Sequence, residues 1–217
     1  MRFAEAYGLM IPEGEVVRIA ADGVTLWEQQ SSDGLPAGYT ACEYIQFSGA
    51  QQVDTGITPT KNTKIETTFT RENDGAKYFY GVRDSANAKS VTAYLSSGGS
   101  WRFGNTYRAY TVSLNSKHTA IVDSTGIIMD GSKGNYGQTV NSFTAISTLT
   151  VGASRGTSGG LGSSQFVGKV YAFKMYTKDE LVLDFWPCMN PQGVYGFWEN
   201  VTRKFVPSAT DTAFTGG

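Results

Sequence analysis

Between residues 65 and 70 the chain alternates: Ile65, Thr67 and Phe69 are interleaved with Glu66, Thr68 and Thr70. A period of two is that of a β-strand with one face buried and one face wet. Lys77 to Val82, KYFYGV, reads as an aromatic strand. Leu181, Leu183 and Phe185 alternate with Val182, Asp184 and Trp186. Ala120–Asp123 and Ile127–Asp130 flank Ser124-Thr125-Gly126 and read as a hairpin. Phe166 to Tyr176 is long and apolar on both faces, as in a central strand covered by a layer on each side. The last runs are Gly193–Trp198 and Lys204–Val206. No segment sustains a helical period with caps. Many short strands separated by turns predict an all-β sandwich or barrel. No repeat occurs at solenoid or propeller period.

The first thirty residues follow another logic. Met1 to Met10 fits a short helix or an extended arm. Val16–Ala20 and Val24–Trp27 flank Ala21-Asp22-Gly23. An Asp-Gly step between β-rich runs is a hairpin signal. A lone hairpin is marginal in water, so this one is expected to pack on the main domain, a sister subunit or a larger assembly. The polar stretch EQQSSDGLPAG, residues 28–38, has Gly and Pro and no periodicity. The expected organisation is therefore an attachment or oligomerisation arm over 1–30, a linker over 31–38 and a main domain over 39–217.

Composition agrees with short strands and turns: 26 glycines, 13% aromatic residues and only 17% charged residues. The net charge is −1, with no basic stripe, so no nucleic-acid partner is expected. No apolar run is long enough to span a bilayer, and no membrane partner is expected. The start, Met1-Arg2-Phe3-Ala4-Glu5 with Glu13 and Glu15 soon after, leaves no room for an apolar signal core. Two cysteines, Cys42 and Cys188, are too few for a disulfide scaffold. They read as two buried thiols or as one long-loop disulfide.

The candidate chemistry is sparse. His118 is the only histidine, so any Ser-His-Asp, Cys-His or His/Cys metal site would have to use it. It precedes a strand beside Lys117 with no nucleophile motif near, the setting of a surface or edge histidine. The Gly-rich stretches GSKGNYG (131–137) and RGTSGGLGS (155–163) lack a phosphate-loop ending and read as flexible connections. They also suit variable recognition loops on a rigid scaffold. The remaining constellation is aromatic: Tyr78, Phe79, Tyr80, Tyr94, Trp101, Tyr107 and Tyr110, with Arg102 and Arg108 among them. Aromatic faces stack on the C–H faces of sugars, and Arg and Asn donate to hydroxyls. Tyr80, Trp101, Arg102, Asn105 and Tyr107, grouped around a turn expected at Gly104-Asn105, are the candidate ligand contacts. The alternative is that these aromatics fill the core.

Two segments resemble a known family. LPAGYTACEYIQFSGAQQVDTGITP spans residues 35–59, with Tyr44-Ile45, Gly49, Gln51 and Asp54-Thr55-Gly56 as its specific positions. Residues 166–217 carry Gly168–Tyr171, Met175-Tyr176, Leu181-Val182, Asp184-Phe185, Pro187-Cys188, Asn190-Pro191, Gly193–Gly196, Lys204-Phe205 and Phe214-Thr215-Gly217. Together they resemble concanavalin A-like, laminin-G-like jelly-roll domains of bacteriophage and prophage structural proteins and of gut-bacterial surface proteins. The match covers both ends of 35–217; the middle, about 72–165, is individual. VVRIAADGVTLWE, residues 16–28, also looks like short N-terminal segments of phage virion proteins.

The resemblance implies a two-sheet antiparallel jelly-roll sandwich with its first and last strands side by side, which would bring Cys42 and Cys188 together. It implies a non-enzymatic virion surface protein, in a head or tail fibre or decoration. Such a protein assembles in the host cytoplasm, binds host-surface or mucosal carbohydrate, and forms homo-oligomers through residues 1–30. A purely structural decoration or baseplate role is the alternative, and glycoside hydrolysis a remote one. Relatives that are glucanases place Glu, Asp and Glu alternately on one strand. This chain has no such run, and Glu72/Asp74 and Asp179/Glu180 sit beside turn signals. Calcium is common in laminin-G-like domains, with Asp54, Asp74, Asp84 and Asp123 as candidate ligands here, but none has calcium-loop spacing.

Overall fold

The structure is a computed structural model that describes residues 34–217 except 97, 158, 159, 161 and 163, together with the backbone of 18–21 and 24–28. The described residues contain strands and no helix. Near the start, β1 (Arg18–Ala21) and β2 (Val24–Glu28) pair antiparallel, with Ile19 opposite Trp27, as the hairpin reading expects. The arm before them, the Asp22-Gly23 step and residues 29–33 lie outside the described residues.

The main domain opens with β3 (Thr40–Ala41), β4 (Ile45–Ser48), β5 (Val53–Asp54) and β6 (Thr63–Arg71). Next come β7 (Lys77–Val82), β8 (Ser90–Leu95), β9 (Ser100–Gly104) and β10 (Thr106–Ala109). They are followed by β11 (Lys117–Asp123), β12 (Gly126–Met129), β13 (Ser132–Asn135) and β14 (Thr150–Val151). The chain closes with β15 (Val167–Thr177), β16 (Glu180–Met189), β17 (Tyr195–Glu199), β18 (Lys204–Val206) and β19 (Thr215–Gly216).

These strands form the two-sheet antiparallel jelly-roll sandwich expected from the sequence. The smaller sheet has six strands in the order β10-β9-β8-β7-β14-β5. The larger runs β13-β12-β11-β6-β15-β16-β17-β18, with β3 on β16 and β4 between β15 and β19. The chain passes repeatedly from one sheet to the other, so each sheet is assembled from distant segments. The first and last long-range partners meet where β4 pairs β19, Gln46 opposite Thr215.

The core lies between the sheets. Ile65, Phe69, Val122, Val170, Phe173, Met175, Phe185 and Phe197 point inward from the larger sheet, and Phe79, Tyr80, Val91, Leu95, Trp101 and Phe103 from the smaller. Rings interlock across it: Phe69–Phe79 at 4.5 Å, Phe79–Phe166 at 4.8 Å, Phe47–Phe214 at 4.8 Å. Each fully buried large side chain contributes about 1.5–3 kcal/mol of transfer free energy, which makes this aromatic layer the main stabilising element. Close packing reaches the backbone at Gly168, whose φ is 151° and where a Cβ would stand 2.0 Å from the Thr70 carbonyl oxygen.

Three expectations change. Phe166–Tyr176 is not apolar on both faces: in β15 Gly168 and Val170, then Phe173 and Met175 after an irregularity between Val170 and Ala172, are buried, while Lys169, Tyr171, Lys174 and Tyr176 are half-buried on the outer face. The strand is central in hydrogen-bonding order, yet only one of its faces has a sheet against it. The Gly-rich 131–137 stretch is not simply a flexible connection, because Ser132–Asn135 pairs with β12. Arg108 donates to the Asn135 carbonyl at 2.9 Å and holds that edge in place. Residues 34–38, read as the end of a linker, pack on the sandwich. Leu35 is buried with Cys188 and Trp198, and Tyr39, Trp186 and Phe205 close the cluster. Alternation explains it: Phe185 and Phe197 take the inner face, so Trp186 and Trp198, opposite each other, face outward and need this cover.

Cys42 and Cys188 do come together. Cys188 is opposite Ala41, and Cys42 N donates to the Pro187 carbonyl at 3.0 Å. Both thiols are free. Burial pushes both upward in pKa, Cys188 to about 12.

Candidate functional site

Strand β7 decides which aromatics of the smaller sheet reach solvent. Tyr78 is opposite Tyr94 and Tyr80 opposite Ala93, so a bulge falls at Phe79. The extra residue breaks the period of two. Tyr78 faces out, and Phe79 and Tyr80 both face in. Tyr80 is fully buried, with its ring 6.0 Å from Trp101 and 5.7 Å from Phe173. Burial drives its phenol well above the ordinary tyrosine pKa. Trp101, inward on β9, is also fully buried and lies 6.2 Å from Phe69. Two of the five expected ligand contacts, Tyr80 and Trp101, are therefore core residues with no surface to offer.

The other three are on the outside. Gly104-Asn105 is the expected turn, since Phe103 pairs Thr106 across it. Asn105 has a structural task there: its Oδ1 accepts the Asn141 N–H at 2.8 Å and pins the following loop. Arg102 and Tyr107 are cross-strand neighbours, with the guanidinium 5.3 Å from the ring centroid, and Tyr107 is 57% exposed.

The outer face of this sheet holds a shallow depression of about 280 Å³ lined by Tyr78, Arg83, Thr92, Tyr94, Ser100 and Arg102. Strand register assembles it: Tyr78 is opposite Tyr94, Tyr94 opposite Ser100, and Thr92 opposite Arg102. The Tyr78 and Tyr94 rings sit 4.6 Å apart, tilted by 48°. Arg83 donates to Tyr78 Oη at 3.0 Å and to Asn87 Oδ1 at 2.6 Å, so its guanidinium is held beside the rings. At one end, Gly81 leaves no room for a side chain: a Cβ would lie 2.8 Å from Ser154 Oγ and 3.0 Å from Thr92 Cγ2. Sequence reading had Tyr78 and Tyr94 in its aromatic set but missed Arg83, Thr92 and Ser100. The spacing Thr92/Tyr94 and Ser100/Arg102 carries the signal, two residues apart on neighbouring strands, once the facing of β7 is known.

A second constellation surrounds His118, which is buried on β11 and not a surface or edge residue. Its Nδ1 is 2.7 Å from Asp130 Oδ2 and its Nε2 is 2.9 Å from Ser113 Oγ. The other Asp130 oxygen accepts the Thr119 N–H at 2.8 Å. With the proton on Nδ1 donated to Asp130, Nε2 accepts the serine hydroxyl, which is the bonding order of a Ser-His-Asp relay. The Ser113 carbonyl, 3.3 Å from Nε2, is the acceptor that the other tautomer would use. Burial pushes the Asp130 carboxyl up, but hydrogen bonds from His118 and Thr119 outweigh it and hold it below the usual carboxylate range. Ser113 borders none of three marked depressions on the described surface.

The four candidate calcium aspartates lie apart and are engaged within the protein. Asp54 pairs Arg155 at 2.9 Å and Asp74 pairs Arg71 at 3.4 Å. Asp84 Oδ1 accepts Ser90 Oγ–H and Lys89 N–H, and Asp123 Oδ1 accepts Thr125 and Gly126 N–H groups. Among the described residues no three of His, Cys, Asp and Glu gather as a ligand set. Glu72 is bound by Gln46 at 2.8 Å, and Asp179 and Glu180 stand at the β15–β16 turn.

No protein-family model matches the chain. No curated protein matches it either. Among solved structures it is similar to a heptameric SAP-like pentraxin from Limulus polyphemus, at 10% identity and a TM-score of 0.37, over 82% of this chain and 90% of that one.

Proposed function

We propose that this chain is a non-enzymatic surface protein of a phage or prophage virion, in a head or tail fibre or decoration. In this reading the outer face of its six-stranded sheet binds host-surface or mucosal carbohydrate. The observation that carries the binding half is the depression in which Tyr78 and Tyr94 stand beside Arg83, Arg102 and Ser100. Tilted rings offer an apolar face to the C–H groups of a sugar, and the guanidinium and hydroxyl groups donate to its oxygens. A shallow, open site of this kind binds weakly, and symmetric oligomers raise such binding by avidity. Residues 1–30 would supply that oligomerisation or attachment, since β1 and β2 form a hairpin too short to be stable by itself. The virion half rests on the terminal motifs at 35–59 and 166–217. Catalysis has no part in this reading: Ser113, His118 and Asp130 line none of three marked depressions among the described residues, and the acidic pairs are bound elsewhere or sit at a turn.

The test is a glycan array probed with the full chain and with a Tyr94→Ala variant. Signal on a bacterial or mucosal polysaccharide that the variant loses supports the reading. Absence of signal on every polysaccharide, together with particle destabilisation when the protein is deleted, would instead favour a purely structural decoration.

A further inference from the structure

We infer that the carbohydrate taken by this face is acidic, with a carboxylate or sulfate group held between Arg83 and Arg102; this rests on the reading above. The inference comes from how cations are distributed. Several cations in or beside the sheets are neutralised by a carboxylate, although Lys77, Arg108, Lys133 and Lys204 have no ion pair among the described residues. On the outer face of the larger sheet, Lys64 pairs Glu66 at 2.9 Å, Lys117 pairs Glu43 at 3.2 Å and Lys174 pairs Asp184 at 3.4 Å. Arg155, next along the smaller sheet, pairs Asp54. The two arginines of the depression lack a counter-charge and stand together at one site. The Arg83 guanidinium bonds only neutral oxygens, of Tyr78 and Asn87, and the Arg102 guanidinium has no hydrogen bond or ion pair among the described residues, only the contact with the Tyr107 ring.

No carboxylate lines the depression. The nearby Asp84 is buried and already accepts from Ser90 and Lys89. Two guanidinium groups thus face one site whose other walls are phenol rings and hydroxyls. The chain as a whole has a net charge of −1, so this is a local positive site and not a consequence of a basic protein. A planar guanidinium matches a carboxylate or sulfate with two parallel N–H···O bonds, and the tyrosines hold the ring that carries it. Neutral glycans would use the rings and leave both charges without a counterion.

Isothermal titration of the full chain separates the outcomes, with three probes: a galacturonate hexasaccharide, a chondroitin sulfate hexasaccharide and the neutral cellohexaose. The expected result is that at least one acidic probe binds more tightly than cellohexaose and weakens with rising salt. Arg102→Gln should lower its affinity about tenfold or more, the loss of one charge-assisted contact. Arg102→Lys should recover part of that loss, and Tyr94→Ala should weaken acidic and neutral probes alike. Arg102 points outward, so a melting curve like that of the parent confirms that each variant is folded. If cellohexaose binds as tightly as the acidic probes and Arg102→Gln changes nothing, the acidic preference is wrong while carbohydrate binding stands. If no probe binds and Tyr94→Ala has no effect, both fail.

Discussion

Glu199→Gln is the most informative change to the scaffold. Glu199 is 2% exposed at the end of β17, and its carboxylate gathers four donors. Oε1 accepts Asp184 N–H at 3.0 Å and Val201 N–H at 3.0 Å; Oε2 accepts Thr202 N–H at 2.6 Å and the Thr202 hydroxyl. It thereby ties β16 to the β17–β18 turn. In the best arrangement, a glutamine keeps its oxygen toward Asp184 and Val201 and turns its amide toward Thr202. The hydroxyl can rotate to accept, but the Thr202 N–H is left facing a donor. A buried orphan donor costs about 1–3 kcal/mol, and two remaining bonds lose their charge assistance, for a total of about 2–4 kcal/mol. For a chain of this size that is roughly a 5–15 °C fall in Tm. Urea unfolding followed by tryptophan fluorescence reads it, because Trp186 and Trp198 lie on the same two strands. pH supplies a second check. Burial pushes the Glu199 carboxyl up, but hydrogen bonds from Thr202, Asp184 and Val201 prevail and hold its pKa below the ordinary value. The wild-type advantage is therefore full above about pH 4.5 and is lost as pH falls through the depressed folded-state pKa. Glutamine does not titrate, so the gap between the two proteins should narrow in acid. A variant within about 0.5 kcal/mol of wild type at neutral pH, or a gap that stays constant down to about pH 3, would refute the reasoning.

The remaining predictions are simpler. Thiol titration of unfolded, unreduced protein should find two free thiols; in the folded protein Cys188 should stay unlabelled, since it is buried and its pKa is raised to about 12. A fluorophosphonate probe should leave Ser113 unmodified and Ser113→Ala should change no ester-hydrolysis rate; labelled Ser113 would overturn the non-enzymatic reading. EDTA should leave both carbohydrate binding and melting temperature unchanged, because each candidate aspartate is engaged by the protein itself; a fall in either would reveal a metal.

Strands were legible in the sequence because alternation is local. The buried set Ile65, Thr67 and Phe69, the 120–130 hairpin and the turn at Gly104-Asn105 each depend on residues close in the chain. The terminal motifs extended this to the pairing of β4 with β19 and to the nearness of Cys42 and Cys188. The candidate site was only half legible. Trp101 and Arg102 are adjacent on β9, so alternation sends them to opposite faces and Trp101 goes into the core. Tyr80 was lost for another reason. From Phe79 inward, strict alternation puts Tyr80 outside; the bulge turns it into the core, and nothing in KYFYGV marks the break. Ser113, His118 and Asp130 meet because the loop before β11 and the turn after β12 converge, which spacing does not reveal. Composition and periodicity thus determined the class of fold, the strands and most turns, since those follow from backbone preference and the burial of alternate side chains. Which strands became neighbours, where a bulge reversed the facing, and which arginines were left without a counter-charge were decided only by tertiary packing, because each depends on partners that the chain brings together from far away.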